Sequence, residues 1–176
     1  MRYMSGLGLL FVVLVPLSTL GDGVGENSLV KFKGGIGVDP VSNVVVSTTT
    51  PPVTTVTSNT VRGISPPGQI WVIVDLDADV RTDGHINVRG RRLLLGGGDG
   101  IGTNGGQSVF ATLFCGPAAS ATASSTNETG VPLEADGDFT IDDVLSPVPS
   151  SPCDTPALLI RTTGGTHSWF AAGVPD

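Results

Sequence analysis

The chain has 176 residues, of which 39% are hydrophobic, 5% aromatic and 14% charged, with 25 glycines, 13 prolines and a formal net charge of −7. These proportions exclude a coiled coil, a basic nucleic-acid binder and a highly charged disordered chain. Glycine weakens helix interiors and the strong helix formers Lys and Glu are scarce, so the composition predicts an all-β protein.

The first 21 residues carry a single charge, Arg2, ahead of the uncharged run LGLLFVVLVPLSTL from Leu7 to Leu20. A short positive start, an apolar core too short for a comfortable span and the small residues Thr19 and Gly21 predict a secretory signal peptide over 1–21, cut before Asp22. The competing expectation is an uncleaved N-terminal anchor. Loss of Arg2 leaves eight of the nine basic residues against 16 acidic ones. Such an acidic surface keeps an exported chain soluble and disfavours nucleic acid and anionic membranes as partners. No second apolar segment approaches spanning length. Residues 22–176 are therefore expected to form one domain around one core, secreted or periplasmic/extracellular in location.

A glycine-rich segment comes first, then Val41 to Val46, then the Thr/Pro-rich stretch 47–60 (STTTPPVTTVTSNT). That composition suits an O-glycosylated tether, but the alternation of Val and Thr also suits an exposed edge strand interrupted by Pro51 and Pro52. An irregular loop or edge is the expectation here. Ile70 to Val80 (IWVIVDLDADV) reads as one strand ending in a Thr82-Asp83-Gly84 turn. Strand parity puts Ile70, Val72, Val74, Leu76, Ala78 and Val80 on a core face, and Trp71, Ile73, Asp75, Asp77 and Asp79 on the other. His85 to Leu95 follows as an antiparallel partner, giving a hairpin over 70–95 with Gly90 as its bulge.

Gly96 to Gly106 is a glycine-dominated loop, and Ser108 to Cys115 a strand. Further strands are expected at Val131 to Glu134, Asp138 to Ile141, Ala157 to Arg161 and Ser168 to Ala172. Phe139 to Leu145 is also compatible with one helical turn. Short strands with regular turn chemistry predict an antiparallel β-sandwich of the immunoglobulin or jelly-roll kind, with seven to ten strands. In an oxidising compartment the two cysteines, Cys115 and Cys153, are expected to pair, stabilising the fold by about 4 kcal/mol.

Several residue patterns point to chemistry. Gly100-Ile101-Gly102-Thr103-Asn104-Gly105 matches the dinucleotide fingerprint, but a strand follows where a helix N-terminus is needed, so a turn explains it better. Asp75, Asp77 and Asp79 stand about 7 Å apart on one strand face. Oxygen ligands of this kind suggest calcium, the one cofactor the sequence raises; an EF-hand glycine is missing, and Val80 takes its place. The alternative is a solvated face in which Arg89 and Arg91 pair with the aspartates across the hairpin. The basic cluster Arg89-Gly90-Arg91-Arg92 also reads as a patch for an acidic glycan. Trp71, sharing a face with the aspartates, is the aromatic candidate for a ligand, with Arg89 and Arg91 as its polar companions. For hydrolysis there are two histidines, His85 and His167, and neither a G-x-S-x-G elbow nor a His-Glu-x-x-His helix, so no catalytic residue is assigned. Asn127-Glu128-Thr129 is a glycosylation acceptor.

The stretches Lys33-Gly34-Gly35-Ile36-Gly37-Val38, Trp71-Val72-Ile73, Gly116-Pro117-Ala118-Ala119 and Trp169-Phe170-Ala171-Ala172-Gly173 resemble small exported bacterial β-rich proteins of unassigned activity. Cys115-Gly116-Pro117-Ala118, followed by a valine-bearing strand and an Asp-Gly-Asp turn, also resembles the secreted chordin-type repeat domain. The His-x-His and Gly-Glu-Ile-Arg-Gly stretches of that repeat are missing, and neither resemblance transfers a site residue. The expected role is a secreted non-catalytic binding or surface-structural domain with an extracellular protein or glycan as partner. The alternatives are a calcium-dependent glycan-binding module and an extracellular hydrolase.

Overall fold

The structure, a computed structural model, describes residues 27–176; the segment 1–21 expected as a signal peptide lies outside the described residues. Among the described residues, runs of β-branched residues punctuated by glycine and proline form thirteen strands and no helix. In chain order these are β1 (Ser28–Gly37), β2 (Val41–Val46), β3 (Thr54–Ser58), β4 (Trp71–Val72), β5 (Asp75–Arg81), β6 (His85–Arg91) and β7 (Leu94–Leu95). The second half supplies β8 (Ser108–Cys115), β9 (Thr122–Ser125), β10 (Val131–Pro132), β11 (Phe139–Val144), β12 (Ala157–Thr162) and β13 (Trp169–Pro175).

Nine strands form one antiparallel sheet, in the order β10-β8-β12-β13-β1-β5-β6-β11, with β9 also paired to β8. The sheet curls until its ends meet. Glu134, beyond β10, donates its N–H to the carbonyl of Asp138 ahead of β11 at 2.9 Å, and Ser125 of β9 exchanges backbone bonds of 3.0 and 2.8 Å with Ser146. The result is a near-closed, barrel-like sheet around a core that includes Phe32, Leu76, Ile86, Val88, Leu113, Leu158 and Ile160. The fold is all-β and antiparallel as expected, with opposite walls of one curled sheet as its packed layers. Its strands outnumber the expected seven to ten because pieces such as β4, β7 and β10 span two residues each and carry no periodicity of their own.

β1 is the main element that composition concealed. It lies between β13 and β5 in the centre of the sheet, where the sequence shows only glycine enrichment. Its signal is the alternation of Val30 and Phe32 with Lys31 and Lys33; Phe32 is fully buried. Gly35 and Gly37 answer close packing: a Cβ on Gly37 would strike the Trp71 carbonyl.

The predicted 70–95 hairpin forms in two pieces. β5 and β6 pair from Asp75 opposite Arg91 to Val80 opposite Ile86, while β4 and β7 form a separate ladder with Trp71 opposite Leu95. Between them, Ile73 and Val74 belong to no strand, so parity does not carry across. Leu76, Ala78 and Val80 are buried as predicted, but Ile70, Val72 and Val74 are exposed and Trp71 is buried. Gly90 is no bulge either, because its register with Leu76 and Phe139 is unbroken. It lacks a side chain because the Phe139 ring lies where a Cβ would be. The helical turn considered for Phe139 to Leu145 is strand β11, which alternates buried Phe139 and Ile141 with exposed Thr140 and Asp142.

The glycine loop folds back on β7, with Leu95 N–H donating to Thr103 O and Gly102 N–H to Leu95 O, each at 2.9 Å. Strand β8 follows it, as expected. Cys115 and Cys153 form the predicted disulfide, with Cα atoms 4.9 Å apart. It ties the end of β8 to the segment entering β12, where Ala157 stands opposite Phe114.

Candidate functional site

Strand β5 alternates Leu76, Ala78 and Val80 toward the core with Asp75, Asp77 and Asp79 on the outer face. The neighbouring strands place cations beside these carboxylates on both sides. On β6, Arg91 and Arg89 stand opposite Asp75 and Asp77; on β1, Lys33 and Lys31 stand opposite Asp77 and Asp79. Arg91 reaches Asp75 at 2.9 Å and Lys31 reaches Asp79 at 3.8 Å, while the Ser28 hydroxyl donates to Asp79 Oδ1 at 2.7 Å. A column of carboxylates therefore runs between two columns of cations. Its side chains project side by side from a strand, and among the described residues no three His, Cys, Asp or Glu side chains gather in a metal-holding group.

Three further carboxylates, two in the turn before β11 and one within it, are engaged with backbone. Asp138 Oδ1 accepts from Arg92 N–H at 2.9 Å, Asp136 Oδ1 from Asp138 N–H at 3.1 Å, and Asp143 Oδ2 from Asn127 N–H at 2.8 Å. Arg89 and Arg91 border a shallow groove of about 420 Å³ at the seam between β10 and β11, shared with Glu134, Asp138 and Phe139. Its walls carry both charge signs, so it presents no single-sign field to an acidic glycan.

Trp71 is not on this face. Its ring is 4% exposed and stacks on Phe170, with centroids 4.0 Å apart and planes 10° from parallel. The histidines lie at different turns. His85 starts β6 beside Asp79, Asn87 and Asp142; His167 precedes β13, with Nδ1 3.8 Å from Glu128 Oε2 and its ring edge against Phe110. The residues considered for hydrolysis are thus not assembled into a nucleophile, base and orienting group.

Arg161, whose position at the end of a predicted strand gives no hint of a special role, packs beside His167, Thr112 and Phe110. Its Nε donates to His167 O at 2.8 Å, its Nη1 to Thr112 Oγ1 at 3.2 Å, and its guanidinium lies 5.0 Å from the Phe110 ring centre. Burial lowers its pKa from the ordinary arginine value, opposed by the nearby Glu128 carboxylate. A lone cation in the apolar run Leu158-Leu159-Ile160-Arg161 was the available signal.

The other surface feature is an arm. β2 and β3 pair only with each other, joined through the Pro51-Pro52 turn, and all six residues of β2 and all five of β3 are exposed. The stretch 47–60 is therefore an edge strand preceded by a turn, the second of the two forms its composition suggested. Val44 opposes Val56, and Val46 opposes Thr54, on one face; Asn43 opposes Thr57, and Val45 opposes Thr55, on the other. Val44, Val46 and Val56 are 53%, 59% and 57% exposed. From residue 40 to residue 61 there is no charged side chain.

The arm is rooted firmly in the body. Asn59 donates its N–H to Pro40 O at 3.0 Å and its Nδ2 to Asp39 O at 2.9 Å, and its own carbonyl accepts from the Trp169 indole at 3.0 Å. Arg62, just beyond, reaches Gly116 O at 2.9 Å and Thr155 O at 2.8 Å. The sequence showed the composition of this arm but not that it stands clear of the core.

In comparisons of sequence and structure, the chain matches no protein-family model, no curated protein and no solved structure.

Proposed function

We propose that this chain is an exported, non-catalytic binding domain that acts through contact, with the β2–β3 arm as its contact surface. One observation carries the reading: the arm exposes valines along one face and has no charged residue, although it belongs to an acidic chain. Apolar surface gathered in this way marks a site of association. Edge strands left in solvent are ordinarily blunted by lysine, proline or inward charge, and neither β2 nor β3 contains any of these. The signal-like start and the disulfide fit export.

The calcium-dependent glycan module and the hydrolase have weaker support. Cations flank the aspartates, the Trp71 ring is covered by Phe170, and the histidines occupy separate turns. The test is retention of the fluorescently labelled chain on the outer surface of its source cells. Replacing Val44, Val46 and Val56 together by Thr preserves strand propensity while removing the apolar face. Loss of retention in this variant, with an unchanged melting temperature, is the expected result. Retention that ignores the substitutions overturns the reading, as does turnover of ester, peptide or glycoside substrates by the pure chain.

A further inference from the structure

Resting on the export that this reading includes, we infer that Asn127 carries an N-linked glycan and that the glycan lies over the seam between β10 and β11. The acceptor comes first. Sugar is joined to asparagine within Asn-x-Ser/Thr, where x is not proline, and among the chain's asparagines Asn127 alone heads such a triplet, with Glu128 and Thr129. All three residues are exposed, at the turn from β9 to β10.

The backbone of this turn is fixed while its reactive groups are left free. Asn127 N–H donates to Asp143 Oδ2 at 2.8 Å, Gly130 N–H to Asn127 O at 3.0 Å, and Thr129 N–H to Asn127 Oδ1 at 2.9 Å, which makes an Asx turn. The Asn127 Nδ2 and the Thr129 hydroxyl have no hydrogen-bond partner among the described residues. By contrast, Asn104 Nδ2 donates to Leu133 O and Glu134 O, and Asn59 Nδ2 to Asp39 O. Transfer from a polyprenyl-pyrophosphate oligosaccharide forms the bond from Nδ2 to the sugar C1 as the bond from C1 to the pyrophosphate oxygen breaks. The amide proton passes to a base of the transferring enzyme and the lipid pyrophosphate leaves. The linked amide keeps its oxygen, so the bond from Thr129 survives.

The second line of argument is the strand edge beside the acceptor. Leu145, just past β11, donates its N–H to Gly84 O at 2.8 Å, which fixes the alternation of the strand. Odd-numbered residues of β11 turn their backbone groups to β6, and even-numbered ones turn theirs to the seam. Asp138 and Ser146, both even-numbered, make the bonds that close the sheet at the two ends of the seam. Between them lie Thr140 and Asp142, and among the described residues no backbone bond crosses from these to β10. Pro132 on the facing strand has no N–H to offer. Such an edge is a template for another strand unless something covers it. A groove of about 260 Å³, bordered by Asn127, Thr129, Val131, Ile141 and Asp142, joins the acceptor to this edge. Within it the exposed Asp142 carboxylate can accept from sugar hydroxyls.

The test uses the full chain purified from its source cells and their medium. Its intact mass should fall by one oligosaccharide on treatment with peptide N-glycosidase, with Asn127 returned as Asp. Asn127→Gln and Thr129→Ala should each abolish the modification, and Thr129→Ser should retain it. Unmodified Asn127 overturns the inference wherever the chain is found, as does a glycan that persists in Thr129→Ala. Whether the chain lies outside the cell shows separately if the export reading stands, and the valine variant of the arm reads the contact proposal without involving Asn127. Amide hydrogen exchange tests the placement, with Thr129→Ala as the unglycosylated form because it keeps the Asx turn. Exchange at Thr140 and Asp142 should be several-fold slower in the glycosylated chain, with no change at Val44 or Val56 of the arm. Equal exchange at Thr140 and Asp142 in the two forms overturns the placement over the seam.

Discussion

The indole N–H of Trp169 donates to the backbone carbonyl of Asn59 at 3.0 Å, joining strand β13 to the root of the arm across 110 positions of sequence. Trp169 is buried, so this bond links an otherwise solvent-exposed hairpin to the central sheet. Trp169→Phe keeps most of the ring and removes the donor. The expected cost is about 1 kcal/mol in denaturant unfolding. Amide hydrogen exchange should rise at the arm root, around Asn59, more than in β5 or β6, and uniform exchange across all strands would contradict the anchoring role.

The aspartate column should behave as a pairing ladder. Addition of calcium to metal-stripped protein is expected to leave the melting temperature unchanged and to release no binding heat. Arg91→Ala is expected to cost about 0.2–1 kcal/mol, as for an exposed ion pair, and the loss should shrink at high salt. A calcium-dependent rise in melting temperature that disappears in Asp77→Asn would show a cation site instead.

Gly90 and Phe139 form a tightly packed cross-strand pair, with the ring occupying the position of a missing Cβ. Gly90→Ala is expected to destabilise by about 1–3 kcal/mol through overpacking. Phe139→Leu combined with Gly90→Ala should recover part of that loss, a coupling that a double-mutant cycle measures directly. Strict additivity of the two would mean that the strain lies elsewhere.

Removal of the disulfide, by Cys115→Ser with Cys153→Ser, is expected to cost about 4 kcal/mol. The effect is read from urea midpoints of the oxidised protein and the variant at equal m-value. Gly116 N–H donates to Asp154 O at 2.6 Å beside the bridge, so the neighbouring backbone is also held without it. The variant should accordingly keep its far-ultraviolet spectrum while losing stability.

Arg161 contributes a forked geometry that lysine lacks. Arg161→Lys keeps the charge but cannot donate to both His167 O and Thr112 Oγ1 from one planar group. A loss of about 1–2 kcal/mol in chemical unfolding is expected. Equal stability of the lysine variant would show that charge alone matters at this position.

The sequence made parts of this picture legible for definite reasons. Where a strand ran without interruption, as over Leu76, Ala78 and Val80, alternation reported burial correctly. Where the chain changed ladders at Ile73 and Val74, the same alternation misplaced Trp71, because parity is a property of one continuous strand. β1 was concealed because its glycines suggest a loop, whereas Gly35 and Gly37 meet close contacts from residues distant in sequence and Gly34 takes a positive φ.

Composition and local pattern by themselves pointed to the all-β class, the disulfide partners and a cross-hairpin placement of Arg89 and Arg91 beside the aspartates, since each depends on residue type or on spacing within one hairpin. Tertiary structure decided the rest. Whether Val44, Val46 and Val56 enter a core or face solvent, and whether Trp71 stands exposed or stacks on Phe170, depends on which strands lie above them. A single chain position carries no record of that covering layer, because burial is conferred by neighbours that only long-range pairing brings into place.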